Sequence, residues 1–134
     1  MRAAVLPILA VALSSCVAGS TDSQPVVVAS ATGVLVVDWS ISGAQDPAFC
    51  RQSAADVINI AIETTGGSPV GEFEDACEAF STGIELGAGD YFGDAVLLDS
   101  SGSPRTTPVD LGLVEIFGDD ELVVPLDFPP DSFY

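Results

Sequence analysis

From Gly33 onward, apolar residues return at every second position. In GVLVVDWSI, the side chains of Leu35, Val37, Trp39 and Ile41 fall on one side of an extended chain, and Val34, Val36, Asp38 and Ser40 fall on the other. A period of two predicts a strand with one buried face. VINIAIE repeats it, with Ile58, Ile60 and Ile62 inward and Asn59, Ala61 and Glu63 outward. The Gly- and Pro-bearing stretch 65–69 predicts a turn, and residues 70–74 a short strand after it.

FSTGIEL puts Phe80, Thr82, Ile84 and Leu86 in phase, and Gly87-Ala88-Gly89-Asp90 turns the chain. YFGDAVLLD is apolar on both faces, which predicts a central strand of a two-layer protein. After a turn at 100–104, residues 106–117 and 121–128 predict a last pair of strands joined around Gly118-Asp119-Asp120. Leu122, Val124, Leu126 and Phe128 alternate in the final strand, where Pro125 lacks an N–H and so suits a sheet edge. Only residues 46–53 predict helix: Asp46 can cap and Pro47 fits the first helical position. About seven short strands with Gly, Asp and Ser in the turns predict an all-β fold, a single antiparallel β-sandwich over residues 33–134 with one short helical turn.

Ahead of this domain the pattern is different. Met1-Arg2 is followed by AAVLPILAVAL, an apolar run too short to cross a hydrocarbon layer, which needs about 20 residues. A charged start and a short apolar middle predict a secretory signal over residues 1–15. It ends Leu13-Ser14-Ser15-Cys16, which resembles the bacterial lipobox. That resemblance implies cleavage before Cys16, diacylglycerol on its sulfur, and a further acyl chain on its new amine. Several acyl chains hold a protein stably where one does not. Val17, rather than an aspartate, implies by the same resemblance passage to the outer membrane. Residues 16–32 then form the lipidated start and a spacer rich in small and polar residues, with Val26-Val27-Val28 as an extended arm or an edge strand.

Charge narrows the function classes. The chain of 134 residues holds 20 acidic residues against three arginines, with no lysine and no histidine, for a net charge of −17. Such a surface repels phosphate, which excludes nucleic acid as a partner, and it repels anionic headgroups too. Charge therefore gives no hold on a membrane, and the lipobox resemblance implies that lipid on Cys16 supplies it. Without histidine, the commonest general base and transition-metal ligand are both missing. With Cys16 assigned to lipid, Cys50 and Cys77 remain as an even pair in an exported chain, which predicts a disulfide.

Leu86-x-x-Gly89-x-Tyr91, followed by a strand ending in Leu98-Asp99-x-x-Gly102, resembles immunoglobulin-like and transthyretin-like (carboxypeptidase regulatory-like) bacterial domains. From Val36 to the C-terminus the chain is similar to small bacterial lipoproteins with one such sandwich. The resemblance implies that Tyr91 is a corner tyrosine, and it brings no catalytic residues.

The acidic residues cluster along the chain at Glu72, Glu74, Asp75 and Glu78; at Asp90, Asp94 and Asp99; at Asp119, Asp120 and Glu121; and at Asp127 with Asp131. Paired carboxylates can hydrolyse glycosides, but that chemistry needs a cleft. Calcium takes oxygen ligands from loops, and Asp119, Asp120 and Glu121 are the local candidate, although no EF-hand spacing is present. Acidic turns facing water are the alternative. Trp39 is in phase with the core; Phe92 lies opposite Tyr91 and could face either core or ligand. The expectation is a non-enzymatic, lipid-anchored envelope or cell-surface module for interaction or structure, with calcium or carbohydrate binding and an envelope protein or glycan partner as the alternatives.

Overall fold

A computed structural model describes residues 31–134. Eight strands form in chain order, with one short helix: β1 (Thr32–Ile41), α1 (Pro47–Gln52), β2 (Val57–Thr64), β3 (Pro69–Ala76), β4 (Ser81–Gly87), β5 (Gly89–Leu98), β6 (Val109–Asp110), β7 (Val114–Ile116) and β8 (Glu121–Phe128). They make two sheets. One has the order β4-β1-β8. The other has the order β3-β2-β5-β6, with β7 also paired to β5. The protein is therefore an all-β sandwich. The expected signal peptide of residues 1–15, the expected lipidation site Cys16 and the valine run 26–28 lie outside the described residues.

The period of two sets the two inner faces. Leu35, Val37, Trp39 and Ile41 of β1 are buried, as are Ile58, Ile60 and Ile62 of β2. Ile84 and Leu86 of β4, Ala95 and Leu97 of β5, and Leu126 and Phe128 of β8 join them in one core. Burying a large aliphatic or aromatic side chain contributes about 1.5–3 kcal/mol, so these faces hold the sheets together.

At α1, Asp46 is the N-cap, its carboxylate accepting from the Ala48 N–H, and Pro47 takes the first turn. Cys50 on this helix bonds Cys77 in the 3-10 turn Cys77–Ala79, across 27 positions of sequence. Both sulfurs are buried.

Two expectations are corrected. The sandwich is not wholly antiparallel: β8 pairs parallel with β1, with Val34 opposite Glu121 and Ile41 opposite Phe128. Nor do residues 106–117 and 121–128 form a hairpin. The first stretch splits into β6 and β7, both on β5, and the chain then crosses to the other sheet to become β8. The split has a local cause. Between β6 and β7, Asp110 turns the chain by accepting from the Gly112 N–H at 2.8 Å; ahead of β6, the buried Thr106 hydroxyl accepts from the Leu97 N–H at 3.1 Å.

The crossing also explains Gly33. A Cβ there would meet the Phe117 carbonyl, the Asp120 carbonyl at 2.9 Å and Ile116 Cγ2 at 2.9 Å, so only glycine lets β1 pass beneath the connection into β8. Pro125 sits opposite Asp38 on β8, an edge strand, as its missing N–H requires.

Candidate functional site

The outward face of the five-stranded sheet carries a groove of about 640 Å³. Its shape follows from register. Ala61 in β2 lies opposite Glu72 of β3 on one side and opposite Asp94 of β5 on the other. Asp94 lies in turn opposite Asp110 of β6. One row of the sheet thus reads Glu72, Ala61, Asp94, Asp110, with a methyl group between two carboxylates. The next row places Glu63 between Pro69 and Phe92.

Small residues make the depth and larger ones the walls. Ala61, Gly71 and Gly93 are recessed, while Phe92 and the prolines 69 and 108 stand at the sides. Phe92 keeps 40% of its surface in water, and Tyr91 before it turns inward to the core. Gly93 cannot be larger, because a Cβ would meet Ile62 Cδ1 at 2.9 Å and the Ala61 carbonyl at 3.0 Å.

Glu63, Glu72, Asp94 and Asp110 are all exposed. Directly opposed like charges in a sheet are destabilising, and Asp94 faces Asp110 in this way. The two arginines among the described residues are engaged elsewhere. Arg51 approaches Glu78 at 3.4 Å, and the Arg105 Nε–H donates to the Ser53 carbonyl at 3.0 Å. The groove is therefore rimmed by acceptors that no side-chain cation of the domain approaches.

The groove presents carboxylates, small residues and one aromatic ring. Histidine and lysine do not occur in the chain, and no hydroxyl or thiol lines the groove.

The residues singled out in the sequence are distributed over the fold. Trp39 is buried with its indole Nε1–H donating to the Cys77 carbonyl at 2.9 Å, so it belongs to the core and offers no platform for a sugar. Tyr91 donates from its hydroxyl to the Gly87 carbonyl, four positions earlier, at 2.7 Å. Asp119, Asp120 and Glu121 occupy the connection into β8. There the Asp119 N–H donates to the Thr32 carbonyl and the Asp120 carbonyl accepts from the Val34 N–H, so this stretch holds β1 in place. The three carboxylates do not converge, and no group of three or more acidic or sulfur side chains among the described residues is arranged to hold a metal ion.

The Asp99 carboxylate accepts three hydrogen bonds within its own turn. The Ser101 hydroxyl donates to it at 2.7 Å, and the N–H groups of Ser101 and Ser103 donate at 2.9 Å. The Ser101 hydroxyl above all, then the Ser103 amide, holds its pKa below the usual aspartate value. These bonds close the turn after β5.

Glu63 and Asp110 belong to none of the clusters visible along the chain. The outward phase of Glu63 in β2 was a signal for one of them; Asp110 had none, because its strand is two residues long.

No family model matches the chain, and no curated protein matches it either. Solved structures do. A leucine-rich repeat protein from Bacteroides thetaiotaomicron aligns over 74% of this chain at 16% identity with a TM-score of 0.51. The TIE protein of Bacillus anthracis aligns over 92% at 10% identity with a TM-score of 0.50. The chain spans 12% of the first and 19% of the second, so each likeness is to one domain's fold within a longer protein.

Proposed function

We propose that the protein is a non-enzymatic interaction module, anchored by lipid on Cys16 to the bacterial envelope or outer surface, that meets its partner with the outward face of the five-stranded sheet. Its sandwich is of the immunoglobulin-like or transthyretin-like kind, a reading supported by the Tyr91 bond to Gly87. The observation that carries the proposal is the groove centred on Ala61 and Phe92. It is open and rimmed by carboxylates, and it lacks any pairing of nucleophile with base. The lipobox-like Leu13-Ser14-Ser15-Cys16 supports the anchor, because so acidic a domain has no electrostatic hold on a membrane.

The test uses the full chain in a bacterium fed an alkyne fatty acid, with a photo-crosslinking residue at position 92 or, as control, at Val123 on the other sheet. Acyl label on the wild type and none on Cys16→Ala is expected, with a discrete adduct from position 92 and none from 123. An unlabelled wild-type protein, or equal adducts from both positions, overturns the proposal.

A further inference from the structure

Taking the groove as the contact surface, and resting on that reading, we infer that its occupant is a basic, extended polypeptide segment. Lysine or arginine side chains of that segment reach Glu72, Asp94 and Asp110, and an apolar side chain lies against Phe92.

Three observations converge on this occupant. The first is polarity. Carboxylates only accept hydrogen bonds, so the matching ligand donates and carries positive charge. The domain's two arginines are held at Glu78 and at the Ser53 carbonyl, which leaves this rim to be matched by a partner. The fold also sustains Asp94 directly opposite Asp110, a repulsion that a cation between them converts into attraction.

The second observation is dimension. Glu72, Ala61, Asp94 and Asp110 lie on four adjacent strands. Strands are about 4.8 Å apart, so the row extends over roughly 14 Å, and an extended peptide rises about 3.4 Å per residue, placing side chains i and i+4 the same distance apart. A single ammonium group covers only part of that row. The third is the wall. Phe92, 40% exposed in the middle of a sheet, gives an apolar residue or the stem of a lysine a surface to rest on.

The test measures fluorescence anisotropy of a labelled alternating Lys-Ser octapeptide with the full chain in mild detergent, at about 50 mM NaCl where surface charge is weakly screened. Binding is expected, and no binding of the matched Gln-Ser peptide. The triple variant Glu72→Gln, Asp94→Asn, Asp110→Asn is expected to weaken the peptide by roughly tenfold or more. The charge-matched triple Asp119→Asn, Asp120→Asn, Glu121→Gln should change it by less than about twofold. Circular dichroism confirms that both variants fold.

Equal weakening by the two triples overturns the inference in favour of diffuse charge attraction. Spermidine binding as tightly as the peptide overturns it in favour of a free amine. Absence of peptide binding overturns it outright. If position 92 still crosslinks specifically in the cell, the contact surface stands and only the basic occupant falls. If position 92 gives no adduct while the peptide binds through the three carboxylates, the reading of cellular function falls and the site remains.

Discussion

The indole Nε1–H of Trp39 donates to the main-chain carbonyl of Cys77, 38 positions away in sequence, so the largest core side chain is tied directly to one half of the disulfide. The Phe80 ring lies against the same indole, its centroid 6.4 Å away at a tilt of 45°. Core packing and covalent crosslink therefore meet at a single point, where β1 passes the segment leading into β4.

Replacing Trp39 with Phe removes that donor and leaves the Cys77 carbonyl buried without it. The combined loss of the bond and of packed volume is expected to cost about 2–4 kcal/mol. Thermal melting under oxidising conditions checks this. An unchanged melting temperature would mean that the indole N–H contributes nothing and that the cavity closes freely.

Removing the crosslink with the double variant Cys50→Ala, Cys77→Ala should cost roughly 3–4 kcal/mol on the chain-entropy account of a loop of this length. Urea titration of the oxidised wild type against the double variant measures it. Because α1 is short and its one buried residue is Cys50, hydrogen exchange of residues 47–52 should accelerate more than that of β1.

Asp94→Asn removes one member of the opposed pair at the groove and should stabilise the free protein by a few tenths to about 1 kcal/mol. The same repulsion, with the wider acidic surface, predicts that the wild-type melting temperature rises between about 10 and about 500 mM NaCl, and that it rises less for Asp94→Asn. Equal salt responses would remove Asp94 from the account.

Asp99 supplies the pH prediction. Its folded pKa lies below the usual value of 3.8, chiefly through the Ser101 hydroxyl. A group with a depressed folded pKa contributes stability above its unfolded pKa and loses it as pH falls through the folded one. The stability difference between wild type and Asp99→Asn should therefore be constant from neutral pH down to about 5, and should shrink below the usual aspartate value. Melting curves of both proteins across that range give the answer; a constant difference down to pH 2 would contradict it.

Much of the fold was legible because faces are set locally. The alternation of Leu35 to Ile41 and of Ile58 to Ile62 is a property of each segment alone, and so is the capping of α1 by Asp46 and Pro47. Partners are a different matter. A period of two says which side of β8 is buried but not whether its neighbour is β7 or β1, and Gly118-Asp119-Asp120 has a hairpin's composition while serving a crossing between sheets. Asp119 adopts a φ of 64° there, a conformation that aspartate tolerates in either setting.

The groove was illegible for the same reason. Glu72, Asp94 and Asp110 are drawn together by three strand registers, whereas the clusters seen along the chain lie within single stretches, Glu72–Glu78 from β3 into the 3-10 turn and Asp119–Glu121 in the connection into β8. Phe92 could be placed opposite Tyr91 from sequence, but whether its side was wet depended on which sheet face packed against β1.

The parallel ladder between β1 and β8 has a mechanical consequence. The chain enters that ladder at one end, at Val34, and leaves it at the other, at Phe128. Tension applied between the start of β1 and the end of β8 then runs along the strand axes. The backbone hydrogen bonds of the pair are stressed together rather than peeled one after another, so resistance to pulling is set by a slow, collective rupture.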